Sequence, residues 1–385
     1  MTNTTDTGSR AFDVGVAFHN DFWDIGEVVF KTRALRAFEN AATRYPIHRF
    51  LRCAVPRPME NIFDDLALGM GLAPQRMESG VLLLDGPEVF VQAVGKRKAN
   101  YCSCAFNIWT DTKERATQLK ERILQTLGER FLPEEMFVID WQFQSRGTLT
   151  SCSFEERAHE ALLDEAYPSL GRPVDTFIDD YLKASESVLI LMGAPGTGKT
   201  RLVRSILGAL SRRKRDSAEI MYTADKATLE SDEIFVDFIT GSHDAFVIED
   251  ADHMLKARAS GNLDLHRFLA VADGVVRAQG RKIIFTTNLP NVRDLDEALL
   301  RPGRCYALVQ LRSLVGREVD LLLERLTHGD TALYARAQSM LIGSGECKFP
   351  LAKVYRTLHE ARRDQGEVAD GESLPIVLEG PSASG

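Results

Sequence analysis

The sequence predicts an α/β fold, in which a parallel sheet carries helices on both faces, with an α+β domain before it and a helical lid after it. Between residues 185 and 312, apolar runs typical of buried strands alternate with amphipathic segments of helical spacing. After residue 312 the pattern is helical only, whereas the first 165 residues mix both patterns and hold most of the aromatic side chains. We therefore expect four regions, at residues 1–165, 166–312, 313–365 and 366–385.

Composition limits the class of protein. A chain of 385 residues with 44% hydrophobic and 26% charged residues is typical of a soluble protein of about two or three domains. Its formal charge of −8 provides no overall attraction to nucleic acid or to an anionic membrane. No apolar run approaches the roughly 18 residues of a membrane span, and the polar start lacks the apolar core of a secretion signal. These features predict a cytoplasmic protein without a membrane span.

The two terminal regions contain no motif that assigns a chemistry. Strand patterns occur in GVLLLDGPEVFVQAV, ANYCSCAFNIW and EEMFVIDWQF, and a helical pattern occurs in KERATQLKERILQTLGER. We expect residues 1–165 to bind a substrate or partner, and a helix over about SFEERAHEALLDEAYPSL to lead out of them. Residues 366–385 are rich in Gly, Ser and Glu and predict a disordered tail.

The stretch GAPGTGKT matches the phosphate-loop pattern G-x-x-x-x-G-K-[ST], with an apolar run before it and an amphipathic segment after it. Its glycines allow backbone N–H groups to converge on phosphate oxygens, and the helix that follows adds its dipole. We expect Lys199 to neutralise the β and γ phosphates and Thr200 to place its hydroxyl on Mg²⁺. The predicted nucleotide-binding residues are Gly193, Ala194, Pro195, Gly196, Thr197, Gly198, Lys199, Thr200 and Arg201.

Carboxylates that could complete a metal site follow the apolar run of DAFVIED. By position, Glu249 would serve Mg²⁺, whereas Asp250 would polarise the attacking water. The order Glu then Asp is the reverse of the usual one, and the shorter Asp250 side chain could slow hydrolysis. On the next strand pattern, KIIFTTN, Asn288 could bind the same water or the γ phosphate.

Two arginines, Arg301 and Arg304, flank a Pro-Gly turn in ALLRPGRC. A short, stiff corner of this kind is suited to reach a phosphate bound by a neighbouring subunit, which would make hydrolysis depend on assembly. Taken alone, the same pair is also typical of two surface arginines that have no part in the chemistry.

GAPGTGKT, VIEDAD, IIFTTN and LDEALLRPGRC together resemble the phosphate loop, carboxylate strand, first sensor and second region of homology of the AAA ATPases. Within that family, TLESDEIFVDFITGSHDAFVIEDADHML and LAVADGVV look most similar to the mitochondrial translocase that assembles the Rieske protein. The resemblance implies a P-loop NTPase core that uses ATP and Mg²⁺, with Asn288 as first sensor and with Arg301 and Arg304 as the candidates for the arginine finger. It also implies a homo-oligomeric ring of roughly six or seven subunits.

The sequence departs from that family in one respect that bears on mechanism. After the second core strand, TADKATLESDEIF lacks the aromatic-hydrophobic-glycine triplet of many AAA unfoldases. The last helical pattern, FPLAKVYRTL, offers Lys353 and Arg356 as second-sensor candidates without favouring either.

Three functions are compatible with these residues. The first is a ring-forming AAA ATPase that couples hydrolysis of Mg·ATP to remodelling or translocation of a protein client, as a chaperone does. The second is a nucleic-acid-associated loader, suggested by the basic run from Arg212 to Arg215, although such a run is more typical of the last turn of a helix. The third is an ATP-dependent assembly switch with weak turnover.

Overall fold

A computed structural model of the chain describes residues 47–363 except 78–79, 99–100, 146, 159–160, 257–279, 302 and 344, together with Thr32 and Leu35. The chain divides into two compact units, Met1–Leu132 and Pro133–Gly385. The predicted tail at 366–385 and the stretch LAVADGVV lie outside the described residues.

The first unit is built on a five-stranded antiparallel sheet with the order β1-β5-β4-β3-β2. Two helices cover one face of this sheet, and their buried residues, such as Phe63 and Ile123, join those of the strands in one core. The second helix begins after Thr112, whose hydroxyl accepts the Arg115 N–H at 3.3 Å. The elements are β1 (Ile47–Val55), α1 (Met59–Gly69), β2 (Ala73–Met77), β3 (Val81–Gly86), β4 (Val89–Arg97), β5 (Cys102–Thr110) and α2 (Lys113–Leu127).

The second unit contains a seven-stranded sheet with the order β12-β8-β11-β10-β9-β6-β7, in which all neighbouring strands are parallel except β6 and β7. Its strands are β6 (Met136–Ser145), β7 (Thr148–Arg157), β8 (Val188–Met192), β9 (Ala218–Thr223), β10 (Ala245–Ile248), β11 (Lys282–Thr287) and β12 (Cys305–Gln310). Alternate residues of β8 belong to different apolar clusters: Leu189 packs in one, and Ile190 in the other. Both faces are therefore covered, as the continuous apolar runs predicted.

Helices of the second unit connect the strands and form the lid. The connecting helices are α3 (Val174–Lys183), α4 (Lys199–Lys214), α5 (Lys226–Leu229), α6 (Glu233–Thr240) and α7 (Asp252–Leu255). The lid consists of the ribbon β13 (Leu314–Val315) and β14 (Lys348–Phe349) with α8 (Gly316–Thr327), α9 (Thr331–Gly343) and α10 (Leu351–Arg363). The three helices occupy the segments in which the sequence shows helical spacing.

The division between the units lies at residue 132, whereas the sequence predicted it at residue 165. The segment EEMFVIDWQF is a strand as predicted, but that strand, β6, pairs in parallel with β9 of the second unit. Phe137 and Ile139 are consequently part of the α/β core. A period of two identifies a strand, but not the sheet that it joins, so the pattern placed this hairpin in the wrong domain.

The connecting helix expected over SFEERAHEALLDEAYPSL is also corrected. Its first five residues continue β7, where Phe154 lies opposite Ile139 and Arg157 opposite Met136. Pairing with β6 provides partners for the backbone groups of this segment and overrides its local helical preference. Further along, the chain forms two short 3-10 helices, Asp164–Ala166 and Pro168–Leu170.

Candidate functional site

The predicted site residues of the second unit meet at the carboxyl ends of three neighbouring parallel strands. The phosphate loop follows β8, Glu249 and Asp250 follow β10, and Asn288 follows β11. Because the strands run in the same direction, their ends form one edge of the sheet, where ligands bind in open α/β folds. Motifs that are far apart in the sequence are thus brought together at one edge of the sheet.

Two glycines give the phosphate loop its shape. A Cβ atom on Gly193 would lie 2.3 Å from the Leu311 carbonyl oxygen, so the loop passes too close to that backbone for a side chain. Gly198 has φ = 93°, and a Cβ atom there would lie 2.9 Å from the Tyr167 hydroxyl. Between them, the buried Thr197 hydroxyl donates to the Ala194 carbonyl at 2.8 Å. Ala194, Pro195 and Gly196 form the exposed tip.

Lys199 lies at the first position of α4 and is buried. Its ammonium group donates to the Gly193 carbonyl at 2.6 Å, to the Ala194 carbonyl at 3.2 Å and to Asn288 Oδ1 at 2.8 Å. Burial lowers the pKa of Lys199, and the nearby carboxylates, Asp250 foremost, oppose that shift. The lysine is therefore oriented by the loop and joined directly to the predicted sensor residue.

Both oxygens of the Glu249 carboxylate have a donor. The Thr200 hydroxyl donates to Oε1 at 2.9 Å, and the Tyr222 hydroxyl donates to Oε2 at 2.9 Å. Burial, followed by the charge of Glu249, raises the pKa of Tyr222 far above its ordinary value, so the phenol remains a donor. Thr200 and Glu249, the two residues predicted to bind the metal, are thus in direct contact.

Asp250 points to a different set of partners. Its side chain accepts a hydrogen bond from Asn288 Nδ2 at 2.9 Å, and its own N–H donates to the Thr286 hydroxyl at 3.2 Å. The residue has φ = 50°, in the left-handed region that non-glycine residues seldom occupy. Its exposed carboxylate is thus aimed by backbone conformation and by β11.

Asp252 is a site residue that the sequence analysis did not single out. Its Oδ1 accepts hydrogen bonds from the Asn288 N–H at 2.8 Å and from the Thr287 hydroxyl. It therefore orients the sensor asparagine, although it stands two residues beyond Asp250. The sequence did contain a signal for Asp252, because it is the third acidic residue of the stretch EDAD. No feature of the sequence identified Tyr222 as a residue of the site.

The two predicted arginine fingers differ in their surroundings. Arg304 is half-buried, and its guanidinium donates to the Ala298 carbonyl at 2.9 Å, within its own subunit. Arg301 is exposed, and among the described residues its side chain makes no hydrogen bond or ion pair. Arg304 is therefore fixed by a contact within its own subunit, whereas Arg301 is exposed to solvent.

The lid packs on the phosphate loop. The Ala352 N–H, in the first turn of α10, donates to the Gly196 carbonyl at 2.9 Å. The Arg201 guanidinium lies over the Tyr355 ring at 4.5 Å. Of the two second-sensor candidates, Lys353 pairs with Glu346 at 2.7 Å, while Arg356 is exposed on α10.

A cavity of about 250 Å³ adjoins the two predicted metal-binding residues. Thr200 and Glu249 line it, together with the aromatic residues Trp141, Phe154 and Tyr222. The hairpin β6–β7, which the sequence assigned to another domain, therefore reaches the candidate site.

Comparison with known proteins agrees with this geometry. Residues 189–313 match the ATPase family associated with various cellular activities (AAA). The chain is 31% identical over 242 residues to the ATP-dependent zinc metalloprotease FtsH of Syntrophus aciditrophicus, an alignment that covers 56% of this chain and 32% of that protein. A YME1 homolog of Caenorhabditis elegans, also an ATP-dependent zinc metalloprotease, is 32% identical over 184 residues, with 39% and 24% covered. The vesicle-fusing ATPase of the same organism is 28% identical over 186 residues, with 43% and 22% covered.

The core of the second unit is therefore an AAA ATPase domain, and the predicted α/β P-loop NTPase fold is confirmed. The chain spans about a third or less of the length of these relatives. In the part of the chain that the structure describes, no helix is both long and apolar enough to cross a membrane.

Proposed function

We propose that this chain is a magnesium-dependent ATPase whose subunits act together to remodel or translocate a protein client. The observation that carries the proposal is one continuous cluster, in which Lys199, Asn288 and Asp250 are hydrogen-bonded in series beside Thr200 and Glu249. A lysine for phosphate, an oxygen pair for metal and a carboxylate for water are the parts that phosphoryl transfer to water requires.

The phosphate loop supports nucleotide binding. Gly196 and Gly198 have positive φ angles of 79° and 93°, a backbone conformation that glycine adopts readily and that lets N–H groups of a loop turn toward an anion. Helix α4 begins directly after the loop, so its positive end is available to the same phosphates. Lys199 would exchange its carbonyl partners for phosphate oxygens while it stays within reach of Asn288. Arg201 would assist at the boundary with the lid, where it lies over Tyr355.

The residues at the metal position fit Mg²⁺. Thr200 and Glu249 offer a hydroxyl and a carboxylate, and oxygen is the ligand atom that Mg²⁺ takes in proteins. When bound, Mg²⁺ supplies positive charge to the β and γ phosphates. The chain's own contribution is to hold these two oxygen groups together.

Asp250 and Asn288 are proposed to act on water. The Asp250 carboxylate is exposed and fixed on one oxygen by the Asn288 amide, which leaves its other oxygen to accept a proton from the attacking water. Asn288 also contacts Lys199, so its position responds to the group that the lysine holds.

Arg301 and Arg304 are proposed to complete the site of a neighbouring copy. The Arg304 guanidinium is engaged by the Ala298 carbonyl, whereas Arg301 is exposed. This difference favours Arg301 as the group that reaches the neighbour's γ phosphate. Assembly of about six or seven subunits into a ring, and a cytoplasmic location, belong to the same proposal.

Protein clients are favoured by the relatives' names, since two are ATP-dependent metalloproteases and one is a vesicle-fusing ATPase. We assign client or partner binding to the first unit, whose antiparallel sheet lies outside the AAA match. The finer resemblance to the Rieske-protein translocase is proposed for the ATPase core alone. Nucleic-acid loading is not favoured, because Arg212, Arg213 and Lys214 form the last turn of α4 and Lys214 pairs with Asp244 at 2.7 Å.

The test is ATP hydrolysis per subunit over a wide range of protein concentrations, with R301A protein mixed into the wild type. We expect the specific activity to rise with concentration, and a minority of R301A subunits to reduce it by more than their share. R317A, which removes an exposed arginine of the lid, is the matched control and should only dilute the mixture. Activity that is independent of concentration, and merely diluted by R301A, would refute a shared site, and ATP binding without phosphate release would favour the assembly switch.

A further inference from the structure

Glu249 is held by two donors that have different fates when a metal binds. The Thr200 hydroxyl on Oε1 is itself a proposed metal ligand, whereas the Tyr222 hydroxyl on Oε2 lies on the other side of the carboxylate. We propose that Tyr222 is a positioning residue, which holds Glu249 as the metal-binding carboxylate of the site. This inference rests on the proposed ATPase function and deepens it.

Strand β9 holds Glu249 through both backbone and side chain. The Glu249 N–H donates to the Thr223 carbonyl at 3.0 Å, and the Tyr222 hydroxyl reaches the carboxylate of the same residue. Tyr222 lies opposite Val247 in the pairing of β9 with β10, two residues before Glu249. The carboxylate is thus fixed at both ends of its side chain.

The hairpin β6–β7 supports the tyrosine ring. Trp141 lies opposite Tyr222 in the parallel register of β6 and β9, and the two rings meet edge to face with centroids 6.5 Å apart. Trp141 is 43% exposed, whereas Tyr222 is half-buried. An orientation imposed from both neighbouring strands distinguishes Tyr222 from a tyrosine on a free edge.

The neighbouring carboxylate is held from the opposite side. The Asp250 carboxylate accepts from the Asn288 amide, and the Asp250 N–H donates to the Thr286 hydroxyl, both on the β11 side. The Glu249 carboxylate instead accepts from Tyr222 of β9 and from Thr200 at the start of α4. The left-handed backbone at Asp250, with φ = 50°, turns the two adjacent side chains apart. Tyr222 therefore contacts the acid assigned to metal and not the acid assigned to water.

A phenol suits this position chemically. A neutral hydroxyl fixes the carboxylate without cancelling its negative charge, which remains available to a divalent cation. Groups that orient metal ligands in this way commonly contribute about 10- to 100-fold to metal affinity or activity. We expect Tyr222 to act at the lower end of that range, because Thr200 also contacts Glu249.

The variant Y222F isolates the hydroxyl. The ring, which lines the cavity together with Trp141, is retained, and only the hydroxyl is removed. Y334F is the matched control, because it removes a tyrosine-to-carboxylate hydrogen bond of 3.3 Å to Asp320 in the lid. Binding of fluorescently labelled ATP would be measured in EDTA and at rising MgCl₂, together with thermal unfolding and ATP hydrolysis.

For Y222F we expect the MgCl₂ concentration at half-saturation to rise roughly 10-fold. Affinity in EDTA and the unfolding temperature should stay near the wild-type values, and Y334F should match the wild type throughout. In an E249A background, Y222F should cause no further loss, since its effect passes through Glu249.

Other outcomes would overturn the inference. Mg²⁺ dependence within twofold of the wild type would show that the hydroxyl does not position Glu249, and equal losses in EDTA and in MgCl₂ would indicate a merely structural role. A wild-type protein that binds ATP but does not hydrolyse it would refute the proposed ATPase function instead, and leave the Mg²⁺ comparison to decide on Tyr222.

Discussion

The phosphate loop and the carboxylate corner, two neighbouring parts of one site, are held in different ways. The loop is shaped by backbone, because Gly193 passes against Leu311 and Gly198 against Tyr167 with no room for a side chain. The corner from Glu249 to Asp252 is held by side-chain hydrogen bonds from β9 and β11. Changes to the loop should thus act on packing and nucleotide affinity, whereas changes to the corner should act on metal use and turnover with little effect on the fold.

The largest expected effect tests the division of labour within the corner. D250N keeps an acceptor oxygen for the Asn288 amide but removes the basic carboxylate, so we expect kcat to fall by about 10³-fold at saturating Mg²⁺. E249Q should instead raise the Mg²⁺ concentration needed for half-maximal activity. Rates measured across a MgCl₂ series for both variants provide the comparison, and the opposite pattern would exchange the roles of the two acids.

An intermediate effect is expected for the charge that the loop positions. K199A removes the ammonium group that would meet the phosphates, which should weaken ATP binding by about 3 kcal/mol, or roughly 10²-fold. K226A, which removes a lysine in an exposed pair with Glu230, serves as the control. Equilibrium binding of labelled ATP measures both, and equal affinities for K199A and wild type would exclude Lys199 from the phosphate site.

The smallest expected effect concerns the backbone of the loop. In G193A the new methyl group would meet the Leu311 carbonyl, so we expect the free energy of unfolding to fall by about 1–3 kcal/mol. In G316A, at the start of α8, the methyl group has open space, and stability should be unchanged or slightly higher. Urea unfolding of the two variants decides the point, since similar midpoints would show that the close approach at Gly193 is not limiting.

The difference between loop and corner also explains what could be predicted from the sequence. The loop residues are consecutive, so their spacing alone predicted strand, loop and helix, and the structure has them in that order. The partners of the corner come from separate strands, and no local pattern relates Tyr222 or Thr286 to the acids that follow Ile248. The roles assigned to Glu249 and Asp250 stay predictions, to which their separate donors now give a physical basis.

The domain boundary was misplaced for a related reason. Alternating apolar residues predicted β6 correctly, but its partner β9 lies more than 70 residues away, and only this long-range pairing decides which unit contains it. Local composition suggested a helix where β7 continues, because the pattern carries no information about the strand that will lie alongside.

The contact between Ala352 and Gly196 has a mechanical consequence. Helix α10 begins at this contact, and its 13 residues extend about 20 Å from the loop. A tilt of about 10° at its first turn would displace its far end by about 3 Å. At that end the Arg362 guanidinium donates to the Leu326 carbonyl of α8 at 3.0 Å, so the displacement would pass to a second helix. A small rotation at the Gly196 contact would therefore become a displacement of about 3 Å at the far end of the lid helix.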